Sequence, residues 1–133
     1  MTYNPKLLTQ FAFDTLSADS NVTALVTGIY SYALQDTQTP YLVIDLENAR
    51  PLGGAGVSAM EVSFSVSCYS SEAGHAESFT IMEKVHTALQ GKNATLTGYQ
   101  IIHTRMTDSS HERLRDGKGI RSVLEFRSVM ESI

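Results

Sequence analysis

A glycine-rich stretch beside an arginine is the first feature of the sequence whose residue types could do chemistry. It reads RPLGGAGVSAMEV over Arg50–Val62. A phosphate-binding loop places such glycines between a strand and the N-terminus of a helix, whose free amides then face the anion. Here a strand-like alternation follows the glycines, and no Gly-Lys-Ser/Thr tripeptide occurs. The stretch is therefore interpreted as the connection of a β-hairpin between strands at Tyr41–Glu47 and Val57–Tyr69.

This connection is longer than a tight hairpin turn needs, which favours a tip that contacts a partner. A second charged segment, SSHERLRDGKG over Ser109–Gly119, contains the turn signal Asp-Gly. Both segments, Arg50–Val57 and Ser109–Lys118, are predicted to be mobile in the isolated protein and to bind partners in an assembly. The candidate contact residues are Arg50, Pro51, Leu52, Gly53, Gly54 and Gly56 in the first segment and His111, Glu112, Arg113, Arg115 and Lys118 in the second.

The residues that could serve as metal ligands or catalytic groups do not have the spacing that such sites need. His75 and His86 are too far apart for the three- or four-residue gap of a helical metal pair, and the sequence after His111 lacks the second histidine of HExxH. Cys68 continues an apolar row, which indicates a buried thiol. Asp45 and Glu47 share a strand face, as a glycosidase pair could, but solvent-facing strand residues have the same spacing. We therefore expect no catalytic residue, no metal site and no cofactor, and a protein that is not an enzyme.

Several charged side chains fall on the strands themselves. Proteins that bind single-stranded RNA combine arginines on a sheet face with aromatic rings that stack on the bases. The outward-facing positions of the predicted strand at Val57–Tyr69 are instead occupied by Ser63, Ser65 and Ser67. The chain also has 14 acidic against 10 basic residues, a net charge of −4 that disfavours binding nucleic acid over its whole surface. A nucleic-acid-binding α+β module remains an alternative. The preferred interpretation is that these charges form pairs between subunits, and they are Arg105, Arg121, Glu125 and Arg127.

The elements that position these residues follow from the periodicity of apolar side chains. A helix is expected from Pro5, capped by Asn4, and a second, short one, capped by Asp19 or Ser20, is expected to end at Gly28. The alternation of Met60, Val62, Phe64, Val66 and Cys68 with polar residues predicts a strand that is covered on one face. The remaining elements are strands at Ile29–Leu34, Tyr99–Asp108 and Ile120–Met130, and a helix from Glu72 to Gln90. This order predicts an α+β fold, a two-layer sandwich of one largely antiparallel sheet of about four strands with helices packed on one face.

The length of the chain agrees with one domain over residues 1–133, which is long enough to bury a core without a stabilising disulfide or metal ion. The single cysteine permits no internal disulfide, and the N-terminus lacks the pattern of a signal peptide, so folding in a cytoplasm is expected. An antiparallel sheet that does not close leaves free strand edges, and its second face here is small and polar. Both features permit assembly with other subunits.

Several segments together resemble the tail completion, or tail terminator, proteins of long-tailed phages and of gene transfer agents. They are, in chain order, DSNVTALVTGIY (Asp19–Tyr30), TPYLVI (Thr39–Ile44), the alternating strand Val62–Tyr69, IMEKVHTAL (Ile81–Leu89) and RSVLEFR (Arg121–Arg127). The resemblance covers nearly the whole chain, and it rests on the order of the segments rather than on one motif.

The resemblance implies a structural virion protein that forms a hexameric ring at the head-proximal end of the tail tube. Such a ring ends tube growth and provides a docking surface for the neck, and DNA passes through its centre. Its partners would be further copies of the chain, the tail tube protein and a neck, stopper or head-completion protein. It implies no catalytic residue and no cofactor. Another neck or head-completion ring protein is the alternative.

Overall fold

The computed structural model describes residues 6–32, 37–52, 59–71, 75–96, 98–114 and 119–132. Within these ranges the chain forms three helices and six strands. In chain order they are α1 (Lys6–Ala18), α2 (Ser20–Thr23), β1 (Ile29–Tyr30), β2 (Tyr41–Leu52), β3 (Ala59–Ser70), α3 (Ala76–Leu89), β4 (Ala94–Leu96), β5 (Tyr99–Arg113) and β6 (Ile120–Ser132). No helix in this part of the chain has both the length and the apolar character needed to cross a membrane.

The strands form one sheet in the order β1-β2-β3-β6-β5-β4. All pairs are antiparallel except β1 with β2. The predicted α+β class and the largely antiparallel sheet are therefore confirmed. The expected strand number, about four, is lower than the six in the described part of the chain: the strand expected at Ile29–Leu34 is present as β1 (Ile29–Tyr30), and β4, of three residues, was not predicted. Elements this short are not long enough to show a period-two pattern.

The helices cover one face of the sheet. α1 contacts β1 and β2, and α3 contacts β3, β5 and β6. The apolar row of β3, from Met60 to Cys68, is buried in one cluster with Leu8, Leu16 and Val85 of the helices. At its centre the rings of Phe64 and Phe126 stack with centroids 5.4 Å apart. The predicted covered face of β3 is thus confirmed.

Helix ends follow local chemistry. The carboxylate of Asp19 accepts a hydrogen bond of 2.9 Å from the Asn21 amide, as an N-cap does. α3 is followed by Gly91, whose φ of +77° lies in the left-handed region that favours glycine. Two expectations are wrong: α2 ends at Thr23 instead of near Gly28, and α3 begins at Ala76, with no side-chain cap, instead of at Glu72. The predicted cap at Asn4 and Pro5 lies outside the described residues.

Both long hairpins extend further than the sequence indicates. β2 continues through Leu52, which lies opposite Ala59 of β3. β5 continues through Arg113, which lies opposite Ile120 of β6. The loops expected at Arg50–Val57 and Ser109–Lys118 are therefore strand over Arg50–Leu52 and Ser109–Arg113. Arg50 and Glu112 are compatible with strands because they lie on the face of the sheet that no helix of the described residues covers.

Candidate functional site

The sheet face opposite the helices, named here the open face, presents side chains in rows across the strands. The row at one end is aromatic. The rings of Tyr41 and Tyr69 stack with centroids 5.0 Å apart, and Tyr30 meets Tyr41 edge-on at 6.0 Å. The Arg121 guanidinium lies 5.9 Å from the centre of the Tyr69 ring, and its Nη1 lies 3.9 Å from Oε1 of Glu112. Such a row is a rigid, amphipathic contact surface.

The next row consists of small and apolar residues. Ser67 of β3 lies between Val43 and Val123 of the neighbouring strands. Ser67 and Ser65 are buried although none of the described helices lies over them, because larger neighbours shield their short side chains. The expectation that these serines face away from the helices is confirmed, and their burial is a feature that the sequence did not indicate.

An acidic cluster occupies the centre of the open face and consists of Asp45, Glu47, Asp108 and Glu125. Asp108 and Glu125 lie directly opposite one another on β5 and β6. Partial burial, followed by the nearby charges of Glu125 and Asp45 and a hydrogen bond to Glu125, raises the pKa of Glu47 above its ordinary value. Like charges in direct cross-strand contact destabilise a sheet. Partial burial and the neighbouring carboxylates therefore both disfavour the ionised form of Glu47, and burial contributes most to its raised pKa.

Replacement of Glu47 by glutamine tests whether folding disfavours the ionised form of Glu47. Because the pKa of Glu47 is raised on folding, the folded protein binds more protons than the unfolded chain above about pH 4.5, the ordinary value of the group. The free energy of unfolding should therefore fall as pH rises through that region. We expect Glu47→Gln to be more stable than the parent at pH 7 and to show a smaller fall between pH 4.5 and 7 in urea unfolding. Glu83→Gln, on the opposite layer, is the control, and an unchanged profile for Glu47→Gln would contradict the raised pKa of Glu47.

Arginines follow the acidic cluster along the strands. Glu61 accepts contacts from two of them, Nη2 of Arg50 at 2.9 Å and Nη1 of Arg127 at 3.7 Å. Arg105 lies opposite Arg127. The structure thus places all four predicted inter-subunit charges (Arg105, Arg121, Glu125 and Arg127) on the open face. Arg121 and Arg127 already have partners within the chain, so pairing between subunits stays a prediction.

The candidate contact residues of the two hairpins divide into two groups. Arg50, Pro51 and Leu52 lie in β2, and His111, Glu112 and Arg113 lie in β5. The others, Gly53, Gly54, Gly56, Arg115 and Lys118, lie outside the described residues. His111 is not part of a charged loop: its ring meets that of Phe79 at 4.6 Å, and its Nδ1 lies 2.8 Å from Oγ of Ser122.

No group of three or more possible metal ligands occurs in the described part of the chain. His75 and His111, from different elements, come within 6.3 Å of one another, a pairing that the sequence did not indicate. His75 also lies 5.2 Å from the Phe79 ring, so both imidazoles pack on the same aromatic side chain.

Cys68 is buried in the core, and this burial raises the pKa of its thiol to about 12. A thiol of this kind is almost entirely protonated at neutral pH and is a poor nucleophile. We expect it to be unreactive towards a chromogenic disulfide reagent at pH 8 in the native protein and to react rapidly in urea. Rapid reaction without denaturant would contradict the burial.

Two grooves lie beside the sheet edges on the helix-covered side. The Phe13 groove, of about 530 Å³, lies between α1 and β2 and contains Lys6, Phe13, Ile44 and Leu46. The Phe79 groove, of about 390 Å³, lies between α3 and β5 and contains Phe79, Met82, Glu83, Met106 and Leu124. Phe13 is 39% exposed and Phe79 is 49% exposed. Sequence periodicity did not identify either groove, because both phenylalanines lie just outside the apolar stripes of their helices.

Comparisons with known proteins agree with this fold. A family model described as "Tail completion protein gp17" matches residues 13–131. A chain of the solved structure "Virion of native gene transfer agent (GTA) particle" is similar, with a TM-score of 0.83 and 20% identity over 98% of this chain and 100% of that one. "Structure of bacteriophage SPP1 gp17 protein" is similar with a TM-score of 0.56 and 16% identity, over 96% of this chain and 89% of that one. No curated protein matches the chain.

Proposed function

The chain belongs to the family of tail completion proteins, and from this premise we propose that it caps the head-proximal end of a phage-type tail tube. It does so as a ring of six copies. The ring ends polymerisation of the tube and provides the surface on which the head or neck docks. Its role is structural, and it carries out no catalytic step and needs no cofactor.

The observation that carries the proposal is the match of the family model over residues 13–131, which spans all six strands except the last residue of β6. The free strand edges and the charged open face fit this role, because a ring needs two unlike surfaces on each copy. The likeness to a chain of a gene transfer agent virion supports a place in a particle.

The proposed partners are further copies of the chain, the tail tube protein and a neck, stopper or head-completion protein. We place the ring at the tail–neck junction of the virion, after assembly in the cytoplasm of the bacterial host. DNA passes through its bore without specific binding. An acidic surface such as the cluster of Asp45, Glu47, Asp108 and Glu125 repels phosphates and keeps such a bore from retaining DNA.

Deletion of the coding region from the genome that produces the particles tests the proposal. Negative-stain electron microscopy should then show tails of uncontrolled length and heads without tails, and expression of the intact chain from a plasmid should restore joined particles. Tails of normal length beside heads that have lost their DNA would favour the alternative, another neck or head-completion ring protein. Normal particles would contradict both, and steeply salt-dependent binding of single-stranded nucleic acid by a monomer would favour the nucleic-acid-binding module.

A further inference from the structure

We propose that neighbouring copies join through unlike edges of their sheets: the outer edge of β5 in one copy pairs with the outer edge of β2 in the next, and the Phe79 groove packs on the Phe13 groove. This inference deepens the proposed ring and names the surfaces by which its subunits contact one another. The occupant of each groove is therefore a second copy of this chain.

Two long edges are open in the described part of the chain. β1 pairs with β2 only at Leu42 and Val43, so the stretch from Ile44 to Leu52 has no strand on its outer side there. β4 pairs with β5 only from Tyr99 to Ile101. The next two backbone groups on this edge of β5 are hydrogen-bonded to the residues that follow α3. The Gly91 amide donates to the carbonyl of Thr104, and the side-chain oxygen of Gln90 accepts from the amide of Met106. Beyond this point, residues 107–112 of β5 have no outer strand among the described residues.

The directions of the strands fit a ring. Along the order β2-β3-β6-β5 every pair is antiparallel, so β5 runs opposite to β2. When β5 of one copy pairs with β2 of the next in the antiparallel sense, both copies point the same way. Rotational symmetry about a ring axis requires this arrangement. Pairing of like edges would instead turn one copy over and give a closed dimer.

The apolar grooves lie where this pairing brings them together. The Phe13 groove includes Ile44 and Leu46 of the open part of β2. The Phe79 groove includes Met106, Ser109 and His111 of β5. Both grooves lie on the helix-covered side of the sheet, so edge pairing places Phe13 of one copy beside Phe79 of the next. This contact covers two aromatic rings that are 39% and 49% exposed in the single chain, and burial of apolar surface drives association.

The charges at the grooves are complementary. Lys6 lies in the Phe13 groove together with Asp45, and Glu83 lies in the Phe79 groove. The unlike contact sets Lys6 of one copy near Glu83 of the next, whereas two Phe79 grooves would bring two glutamates together. Charge therefore favours the unlike contact over a closed dimer made through two Phe79 grooves.

The open part of β2 also carries features that restrict what can pair with it. The register shifts between Leu46 and Asn48, and Pro51 has no amide hydrogen to donate. Bulges and prolines on edge strands prevent indiscriminate association. A partner must therefore match a short segment of β2. In a ring of identical copies, β5 of the next copy presents the same edge to β2 at every contact.

Cross-linking of purified protein tests the arrangement. We expect a double variant, Gln10→Cys with His86→Cys, which keeps both phenylalanines, to give a ladder of covalent oligomers with a short bismaleimide at high protein concentration, because each copy then carries one cysteine at each groove. Each single variant should remain mostly monomeric, and the parent, whose Cys68 is buried, is the background control. Circular dichroism establishes that all variants are folded.

A double variant that stays monomeric, or single variants that dimerise as readily as the double variant forms oligomers, would overturn the proposal. As a second measurement, Lys6→Glu or Glu83→Lys alone in the double-cysteine chain should slow cross-linking about two- to fivefold, and the two together should restore the rate. Slowing without restoration would count against the unlike contact. This experiment uses purified protein and needs no particle. A negative result would therefore overturn the edge contact without bearing on the proposed function, and a normal deletion phenotype would contradict the proposed function without bearing on the edge contact.

Discussion

Phe64→Ala should lower the free energy of unfolding by about 3–5 kcal/mol, the cost of truncating a fully buried phenylalanine. Phe64 is 0% exposed, and it lies at the centre of the sheet, where its ring stacks on that of Phe126. Truncation removes that contact and leaves a cavity between the sheet and the helices that rigid strands cannot fill. Urea unfolding followed by circular dichroism measures the change.

Phe79→Ala is the matched control, because it removes the same side chain from a site that is 49% exposed. We expect it to lower the free energy of unfolding by less than about 1 kcal/mol. Equal losses for the two variants would mean that the core is not centred on Phe64. A loss for Phe64→Ala below about 1 kcal/mol would contradict the packing of the sheet against the helices.

The core row of β3 could be predicted because its chemistry alternates without interruption from Met60 to Cys68. Period two is typical of a strand with one covered face, and the structure buries all five apolar residues. The end of β2 could not be predicted in the same way. Pro51 and the register shift after Leu46 interrupt the alternation there, so the sequence looks like a loop although β2 continues to pair with β3.

The candidate surface could be predicted only in part. The positions of Arg121 and Arg127 on one face follow from strand periodicity, and the structure confirms that face. The acidic cluster was not identified, because it combines residues from β2, β5 and β6 that are distant in the sequence. Which residues of β5 and β6 meet depends on two register shifts, after Ile101 and after Met106, and no local pattern specifies these.

Replacement of residues 53–58 by Asn-Gly should abolish the joining of tails to heads while the fold remains intact. Leu52 and Ala59 lie directly opposite one another at the end of the β2–β3 hairpin. A two-residue Asn-Gly turn connects such a pair with the twist that the strands need. Unfolding in urea should therefore take place at the parent's denaturant concentration or slightly above it, because a shorter loop costs less entropy to close.

The loss of function follows if the hairpin tip contacts a neighbour in the particle, as the length of the glycine-rich connection predicts. Electron microscopy of particles made with the variant chain should show long tails and separate heads, as in the deletion. A second variant, in which Asn-Gly replaces residues 115–118 of the β5–β6 hairpin, serves for comparison because it shortens the other predicted contact loop in the same way. If only one exchange disturbs the particles, that hairpin contacts the tube or the neck and the other is a connector. Normal particles from the first exchange would contradict a contact by this hairpin tip. The glycine-rich segment would then serve only to connect β2 to β3.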